Sequence, residues 1–411
     1  MAVSAARWTA FRILRRVELE GAFAADLLHA LRPADLEARD LALAEELALG
    51  VLRRQGELDW LLEQAAGRPV DPLDPEVRLA LRLGAYQLRH LDRVPERAAV
   101  WESVEIDKRA RKASAAGLVN AVLRKLAAWP REGPPAPERC VPGWILERWR
   151  RHFGDSTAEA LAFATLEAPP TYLRLNARFD AEETLRLLTG ERVETEATEL
   201  PFCRRVLAGR PARSECFRQG RVRIQDLGSQ RVTPLVELGP GQRFLDVCAA
   251  PGGKTSQALE QCGGKVFALA CDLYAHRLST LRRLATMPVA LVALDAARAL
   301  PFAAGFDRIL VDAPCSGSGT LARNPEIKWR LRPVDIEDLA ARQRAILSHA
   351  LEALAPGGRL VYATCSLEPE ENEGVVESVL SGPFEKIETR LWLPSQTPGD
   401  GFFVCVITRR G

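Results

Sequence analysis

The chain is short of most features that would name its chemistry at once. In 411 residues there is no run of about 18 apolar residues that would cross a membrane as a helix. The opening MAVSAARWTAFRILRRVELEG scatters charge among its apolar positions and lacks the continuous apolar stretch of a secretory signal, so a cytoplasmic location is expected. Neither sign of charge is in surplus: 56 Lys and Arg stand against 54 Asp and Glu, and the net of +2 argues for no polyanionic partner unless the charge is locally concentrated. The nine cysteines are odd in number and scattered, with no CxxC or Cys/His spacing. That pattern excludes a zinc ribbon, implies no metal, and leaves free thiols in a reducing compartment. A cysteine in a polar, electropositive turn is then a candidate nucleophile.

A nucleotide triphosphate site is also missing. FLDVCAAPGGKTS, residues 244–256, ends in GGKT like a phosphate-binding loop, but Cys248 stands where the Walker pattern needs its first glycine. The AAPGGK turn does not have the GxGxxG spacing of a dinucleotide fold either. What remains is an apolar strand ending in Asp246, a Pro-Gly-Gly turn, and the start of a helix.

At a prior of about 150 residues per domain the length suggests two or three domains. Residues 1–128 carry only helical periodicity: Trp8, Phe11, Leu14 and Val17 recur every three residues, and LALAEELALGVL, VRLALRLGAYQL and AAGLVNAVLRKL carry similar stripes. Residues 129–140, WPREGPPAPERC, hold four prolines and read as a linker. Residues 141–224 read as a small α+β module. VPGWILERWRRHFG and STAEALAFATLE look helical, TYLRLNA and GRVRIQD look like strands, and DAEETLRLLTG looks like a helix between them. Between Cys203 and Ile224 seven arginines, 204, 205, 210, 213, 218, 221 and 223, face the single acid Glu215, which suits either a solvated loop or a phosphate-contacting surface.

Residues 225–411 change character. The apolar runs RFLDV, KVFALACD, VALVALD, FDRILVDA and GRLVYATC alternate with helical segments, which marks a doubly wound α/β domain with a parallel sheet. Ligands in such a sheet sit beyond the carboxyl ends of the strands. Asp246, Asp272 and Asp295 end the first three runs, Cys315 follows the fourth in DAPCSGSG, and Cys365 follows the fifth in YATCSLEPEENE. Asp272 lies 26 residues beyond Asp246, near the ~20 expected of an acid that binds ribose hydroxyls. S-adenosylmethionine fits this turn better than NAD or a triphosphate.

Two thiols beside such a cofactor fit methylation of a carbon that has no lone pair. Carbon 5 of cytosine becomes nucleophilic when a thiolate adds to carbon 6, which splits one hard step into two easier ones. Asp312, three residues before Cys315, is placed to stabilise charge at the ring's N3 edge. Spacing alone does not say which cysteine attacks.

The motifs DVCAAPGGKTS, DAPCSGSGTLARNPEIKW and YATCSLEPEENE resemble those of the RNA cytosine-5 methyltransferases, the NOL1/NOP2/Sun family. The whole chain is similar to its bacterial Sun/RsmB group, which modifies 16S ribosomal RNA, because residues 1–128 resemble the helical NusB fold. The resemblance implies a Rossmann-like S-adenosylmethionine methyltransferase domain behind a NusB-like domain. It implies Cys365 as the nucleophile, Cys315 as an aid to product release, Asp312 at the cytosine edge and the cofactor's methyl end, and Lys254 at the active-site rim. It places Cys248, Ala249, Ala250, Pro251, Gly252, Gly253, Lys254, Asp272, Asp295 and Asp312 on the cofactor.

A thiolate cannot reach a ring stacked in a duplex, so the expected substrate is an unpaired or flipped cytosine of 16S RNA. The arginine run and DKRARK (107–112) are candidates for phosphate contacts, the latter set against an exposed helix face. Lys328, Trp329, Arg330 and Arg332 in NPEIKWRLR suit either RNA stacking or packing of their loop. Gln225 and Ser229 in VRIQDLGSQ are expected near the cofactor. No membrane partner and a monomeric chain complete the expectations; transfer RNA or large-subunit RNA as substrate, or a binding role without catalysis, are the alternatives.

Overall fold

A computed structural model describes residues 3–30, 36–130, 133–263, 265–302 and 305–411. The chain divides into two units, one of residues up to Ala168 together with Leu321–Arg330, the other of Pro169–Thr320 with Leu331–Gly411.

The first unit is helical throughout its described residues. Helices Ala5–Glu20, Ala38–Arg53, Gln55–Ala66, Pro75–His90, Glu96–Arg109 and Ala116–Ala127 pack their apolar stripes into one core. Phe11, Leu14 and Val17, spaced by one helical turn, are buried in it. Pro75–His90 is buried almost all round and runs through the middle, so its one deeply buried cation needs a partner. Arg82 has one in Asp59, whose two carboxylate oxygens accept at 2.7 and 2.8 Å. The unit also holds the helices Ala24–Ala30, Gly143–Phe153, Asp155–Ala164 and the short Ile327–Arg330.

The second unit holds two sheets. The smaller is antiparallel, with β1 (Tyr172–Leu175), β2 (Glu194–Ala197), β3 (Cys203–Ala208) and β4 (Val222–Ile224) in the order β2-β3-β1-β4. The helix Ala181–Gly190 between β1 and β2 starts at Asp180, whose side chain accepts from Glu183 N–H at 2.7 Å. Neither β2 nor β3 shows in the sequence pattern, because only Cys203 of β3 is fully buried and its following arginines hide the alternation.

The larger sheet has seven strands: β5 (Arg243–Asp246), β6 (Phe267–Asp272), β7 (Ala290–Ala293), β8 (Phe306–Asp312), β9 (Leu354–Thr364), β10 (Phe384–Trp392) and β11 (Phe402–Arg409). Their order is β10-β11-β9-β8-β5-β6-β7, parallel from β9 to β7, with β10 and β11 antiparallel at the other edge. Successive strand residues serve opposite layers, as the pleat requires. Leu245, Ile309, Leu360 and Tyr362 join one core, while Phe244, Leu310, Val361 and Ala363 join the other. The chain winds outward from β5 through β6 to β7 and then returns to β8 on β5's other side. The strand order therefore reverses between β5 and β8, and a crevice opens at their carboxyl ends. Asp246 ends β5 and Asp312 ends β8.

No described helix is long and apolar enough to cross a membrane, and the described residues hold no His, Cys, Asp or Glu cluster suited to a metal ion.

Candidate active site

The turn after β5 is built on one buried carboxylate. Asp246 accepts from Cys248 N–H at 3.3 Å and from the Thr255 hydroxyl at 2.6 Å, tying the strand end to the first turn of the helix Gly253–Gln261. Burial pushes the Asp246 carboxyl up to about 7. Gly252 has φ +108, and a Cβ there would stand 2.6 Å from Leu281 Cγ, so the turn requires glycine on both counts. Beneath the turn lies a polar network that sequence reasoning missed. Arg174 of β1 donates to Gly253 O at 2.6 Å and to Gln225 Oε1 at 2.8 Å, and pairs with Glu260 at 2.9 Å. Gln225 in turn donates to Gln257 at 2.8 Å and to Ser229 at 3.3 Å. The expectation that Gln225 and Ser229 line the cofactor cavity is not met; they brace the turn from behind.

In front of the turn is a cavity of about 300 Å³, within the usual size of a small-molecule site. Its lining includes Cys248, Ala250, Lys254, Asp272, Asp295, Asp312, Cys315 and Cys365, eight of the residues singled out in the sequence. Ala249, Pro251, Gly252 and Gly253 do not line it and instead form the turn. The lining also takes in Tyr274, Arg277, Arg342 and Phe402, which no sequence motif marked. Tyr274 lies two residues after Asp272 and was the one within reach of a motif; Phe402 arrives from the distant antiparallel edge.

At one end of the cavity Asp272 accepts from Tyr274 N–H at 3.0 Å and from Ala250 N–H at 3.3 Å, with Arg277 3.6 Å away. Asp295 pairs with Arg342 at 3.4 Å and accepts from Ala297 N–H at 3.1 Å. At the other end the Cys315 and Cys365 sulfurs lie 3.3 Å apart. The hydrogen bond to Cys365, with burial, holds the Cys315 thiol well above the ordinary cysteine range. Lys254 donates to Asp312 at 2.7 Å. Burial pulls the Lys254 ammonium down, but Asp312, with a smaller contribution from Cys365, more than offsets it and leaves it above the usual lysine value. A fixed positive charge thus serves both the acid and the thiol pair.

Comparison with known proteins gives this geometry a family. The chain is 31% identical to the probable ribosomal RNA small subunit methyltransferase B of Bacillus subtilis, over the full length of both. It is 36% identical to ribosomal RNA small subunit methyltransferase B of Pseudomonas putida, covering 86% of this chain and 85% of that one. Residues 234–407 match the 16S rRNA methyltransferase RsmB/F family. The chain belongs to the RsmB/F family. The other two RsmB/F parts are present as well, a NusB family match over residues 4–128 and the RsmF/B-like ferredoxin-like domain over residues 141–206. The solved protein PH0851 shares the fold end to end, with a TM-score of 0.83 at 23% identity and full coverage of both chains. As an RsmB/F methyltransferase the chain takes S-adenosylmethionine as cofactor. The site suits it: the Asp272 and Asp295 carboxylates retain lone pairs for hydroxyl and amino donors, and the acids around the cavity favour a cationic sulfonium.

The basic segments are more tightly engaged than their composition suggested. Lys328 is completely buried within the first unit, donating to Arg53 O at 2.7 Å, Cys140 O at 2.8 Å and Thr165 Oγ1 at 3.1 Å. Burial pulls its ammonium down to about 7. Trp329 Nε1 donates to Leu52 O at 2.8 Å and Arg330 to Gly21 O at 2.7 Å, so of the two readings of NPEIKWRLR the packing one holds for these three residues. In DKRARK, Lys108 pairs with Glu105, Lys112 with Asp74, and Arg109 stacks 4.1 Å over Trp8. In the arginine run, Arg205, Arg218 and Arg221 pair with Glu196, Glu215 and Glu183, while Arg204 and Arg223 donate to backbone carbonyls.

Proposed function

We propose that this protein methylates carbon 5 of an unpaired or flipped cytosine in 16S ribosomal RNA through a covalent bond from Cys365 to carbon 6. The observation that carries the reading is the 3.3 Å approach of the two sulfurs in the same cavity as the Lys254–Asp312 pair and the cofactor turn. Bound S-adenosylmethionine supplies an electrophilic methyl group on a sulfonium sulfur.

The residues then divide the work. With Cys365 as the attacking group, the Cys315 thiol lies 3.3 Å from its sulfur, within reach to donate a hydrogen bond to it, and the Lys254 ammonium lines the same cavity. The Cys365 sulfur bonds to carbon 6, and the ring's displaced electron pair makes carbon 5 nucleophilic, with Asp312 and Lys254 positioned for the N3 edge. After carbon 5 is alkylated its proton departs to water, the Cys365–carbon 6 bond breaks, and the electron pair returns to sulfur. The Cys315 thiol stabilises that departing thiolate. Residues 1–128 and 141–224 hold the surrounding RNA, through phosphates in the main, in a monomeric, cytoplasmic protein.

The test is transfer of labelled methyl from S-adenosylmethionine to protein-free 16S RNA, with digestion to nucleosides. Label in 5-methylcytosine that vanishes with Cys365→Ala supports the reading. Cys315→Ala is expected to accumulate a protein–RNA adduct that survives denaturation; the adduct appearing with Cys365→Ala instead would reverse the two roles. Label found only in transfer RNA or large-subunit RNA would move the substrate.

A further inference from the structure

The two residues that follow the cysteines, Ser316 and Ser366, turn toward one carboxylate. Glu371 is completely buried. Its Oε1 accepts from Ser316 N–H at 2.8 Å and from Gln343 Nε2 at 2.9 Å, while Oε2 accepts from the Ser366 hydroxyl at 2.5 Å and from the Ser316 hydroxyl. An ionised carboxylate offers about four acceptor positions and no proton, so four converging donors match it without remainder. Bonds of this charge-assisted kind are stronger than neutral ones. Burial raises the Glu371 carboxyl above the ordinary range, and these same donors, the Ser316 hydroxyl foremost, work against that rise.

The neighbours extend the arrangement. Gln343 also donates to Pro314 O at 2.9 Å, one residue before Cys315. Asn372 accepts from the Thr364 hydroxyl at 2.5 Å and donates to Ser366 O at 3.0 Å, gripping the chain on both sides of Cys365. Glu371 is not part of the cavity lining. Whatever it does for the chemistry it does through the two loops.

We propose that Glu371 is a positioning residue that clamps the Cys315 and Cys365 loops against each other and so sets the sulfur-to-sulfur approach on which turnover depends. The proposal rests on the reading of these two thiols as the reacting groups. Glu371→Gln keeps the shape but removes the charge: with its NH2 toward the Ser316 and Ser366 hydroxyls, both hydroxyls must reverse to accept, so the charge-assisted bonds that draw the two loops together are lost and the loops are freed to part. A displacement on the order of 1 Å at a reacting group is enough for roughly a 100-fold loss of rate.

The experiment compares wild type, Glu371→Gln and Ser366→Ala by two measurements. The first is the equilibrium between the thiol pair and its disulfide in mixtures of reduced and oxidised glutathione, read by mass; the protein loses two hydrogens as glutathione disulfide gains them. It reports the approach of the sulfurs whatever the protein methylates. The second is methyl transfer, with KM for RNA and affinity for S-adenosylmethionine measured alongside. Glu371→Gln is expected to lower the disulfide-forming equilibrium at least about tenfold and kcat about 100-fold, with KM and cofactor affinity within about twofold, and Ser366→Ala to move both in the same direction by less. Wild-type values of both quantities in a Glu371→Gln protein that still binds cofactor would overturn the proposal. If Glu371→Gln does not fold, Ser366→Ala decides on the same terms. A shifted disulfide equilibrium with kcat unchanged would also overturn it, since turnover would then not depend on the approach. A shifted equilibrium in Glu371→Gln, when the wild-type protein itself transfers no methyl to any RNA, would support the clamping of the two loops while overturning the functional reading.

Discussion

Arg174 and Glu260 form an ion pair behind the cofactor turn with each side chain about 2% exposed. Burial pulls the Arg174 guanidinium below its ordinary range and pushes the Glu260 carboxyl above its own, so each charge costs more to bury than its partner returns. Such a pair adds little as a whole, yet each half depends heavily on the other. Glu260→Gln leaves a guanidinium in the interior without its carboxylate. Arg174→Met leaves a buried carboxylate with the Thr286 hydroxyl at 3.2 Å and the weaker charges of Arg223 and Arg178. Each single substitution is expected to cost about 3–5 kcal/mol, a large share of the roughly 5–15 kcal/mol that holds a typical domain together. The double variant Arg174→Met/Glu260→Gln is expected to cost several kcal/mol less than the two together, because no uncompensated charge remains. The two singles also part company at the cofactor. Only Arg174→Met loses the 2.6 Å bond to Gly253 O, so it alone is expected to weaken S-adenosylmethionine binding about tenfold, or ~1.4 kcal/mol. Urea unfolding of the four proteins gives the stability cycle and titration calorimetry gives the affinities. Strict additivity, or single costs below about 1 kcal/mol, would refute the reasoning from burial.

Gly252→Ala puts a Cβ 2.6 Å from Leu281 Cγ at a φ of +108, and is expected to weaken cofactor binding at least about tenfold; calorimetry within twofold of wild type would show the turn to be more pliable than drawn. Lys328 titrates near 7 when folded and near 10.5 when unfolded, so between those values the unfolded chain binds the extra proton and stability rises with pH, while below 7 this contribution is flat. Lys328→Met is expected to remove that rise, which is at most ~1.4 kcal/mol per pH unit for one group; parallel pH profiles of wild type and variant in urea unfolding between pH 7 and 9.5 would refute it.

The parallel part of the larger sheet was legible because each strand is a short apolar run ending in a chemically distinctive residue. β5, β6, β8 and β9 all appear in the sequence for that reason. β10 was not, since FEKIETRLW is half polar along an exposed edge; β11, FFVCVITR, is an apolar run like the others but ends in no reactive residue that would mark it. The site residues that lie within motifs were readable, while Phe402 and Arg342, brought in by the closing of the fold, were not. Charge was the most misleading signal. Lys328 reads in sequence as a cation open to RNA or to packing of its loop, and is among the most deeply buried side chains, because two backbone carbonyls and one hydroxyl can satisfy all three protons of an ammonium.

Leu321–Arg330 belongs to the first unit although 152 residues of the second, from Pro169 to Thr320, precede it in the chain. The order in which the polypeptide leaves the ribosome therefore matters. At ~5–20 residues per second, the segment carrying Lys328 and Trp329 follows the rest of its unit by on the order of 10–30 seconds. During that interval Arg53 O, Cys140 O and Thr165 Oγ1 await the ammonium that will fill their pocket, and the newborn helical unit stays unfinished until the Cys315 loop has been synthesised. Completion of the amino-terminal unit is thus a signal, in time, that half of the thiol pair has already been made.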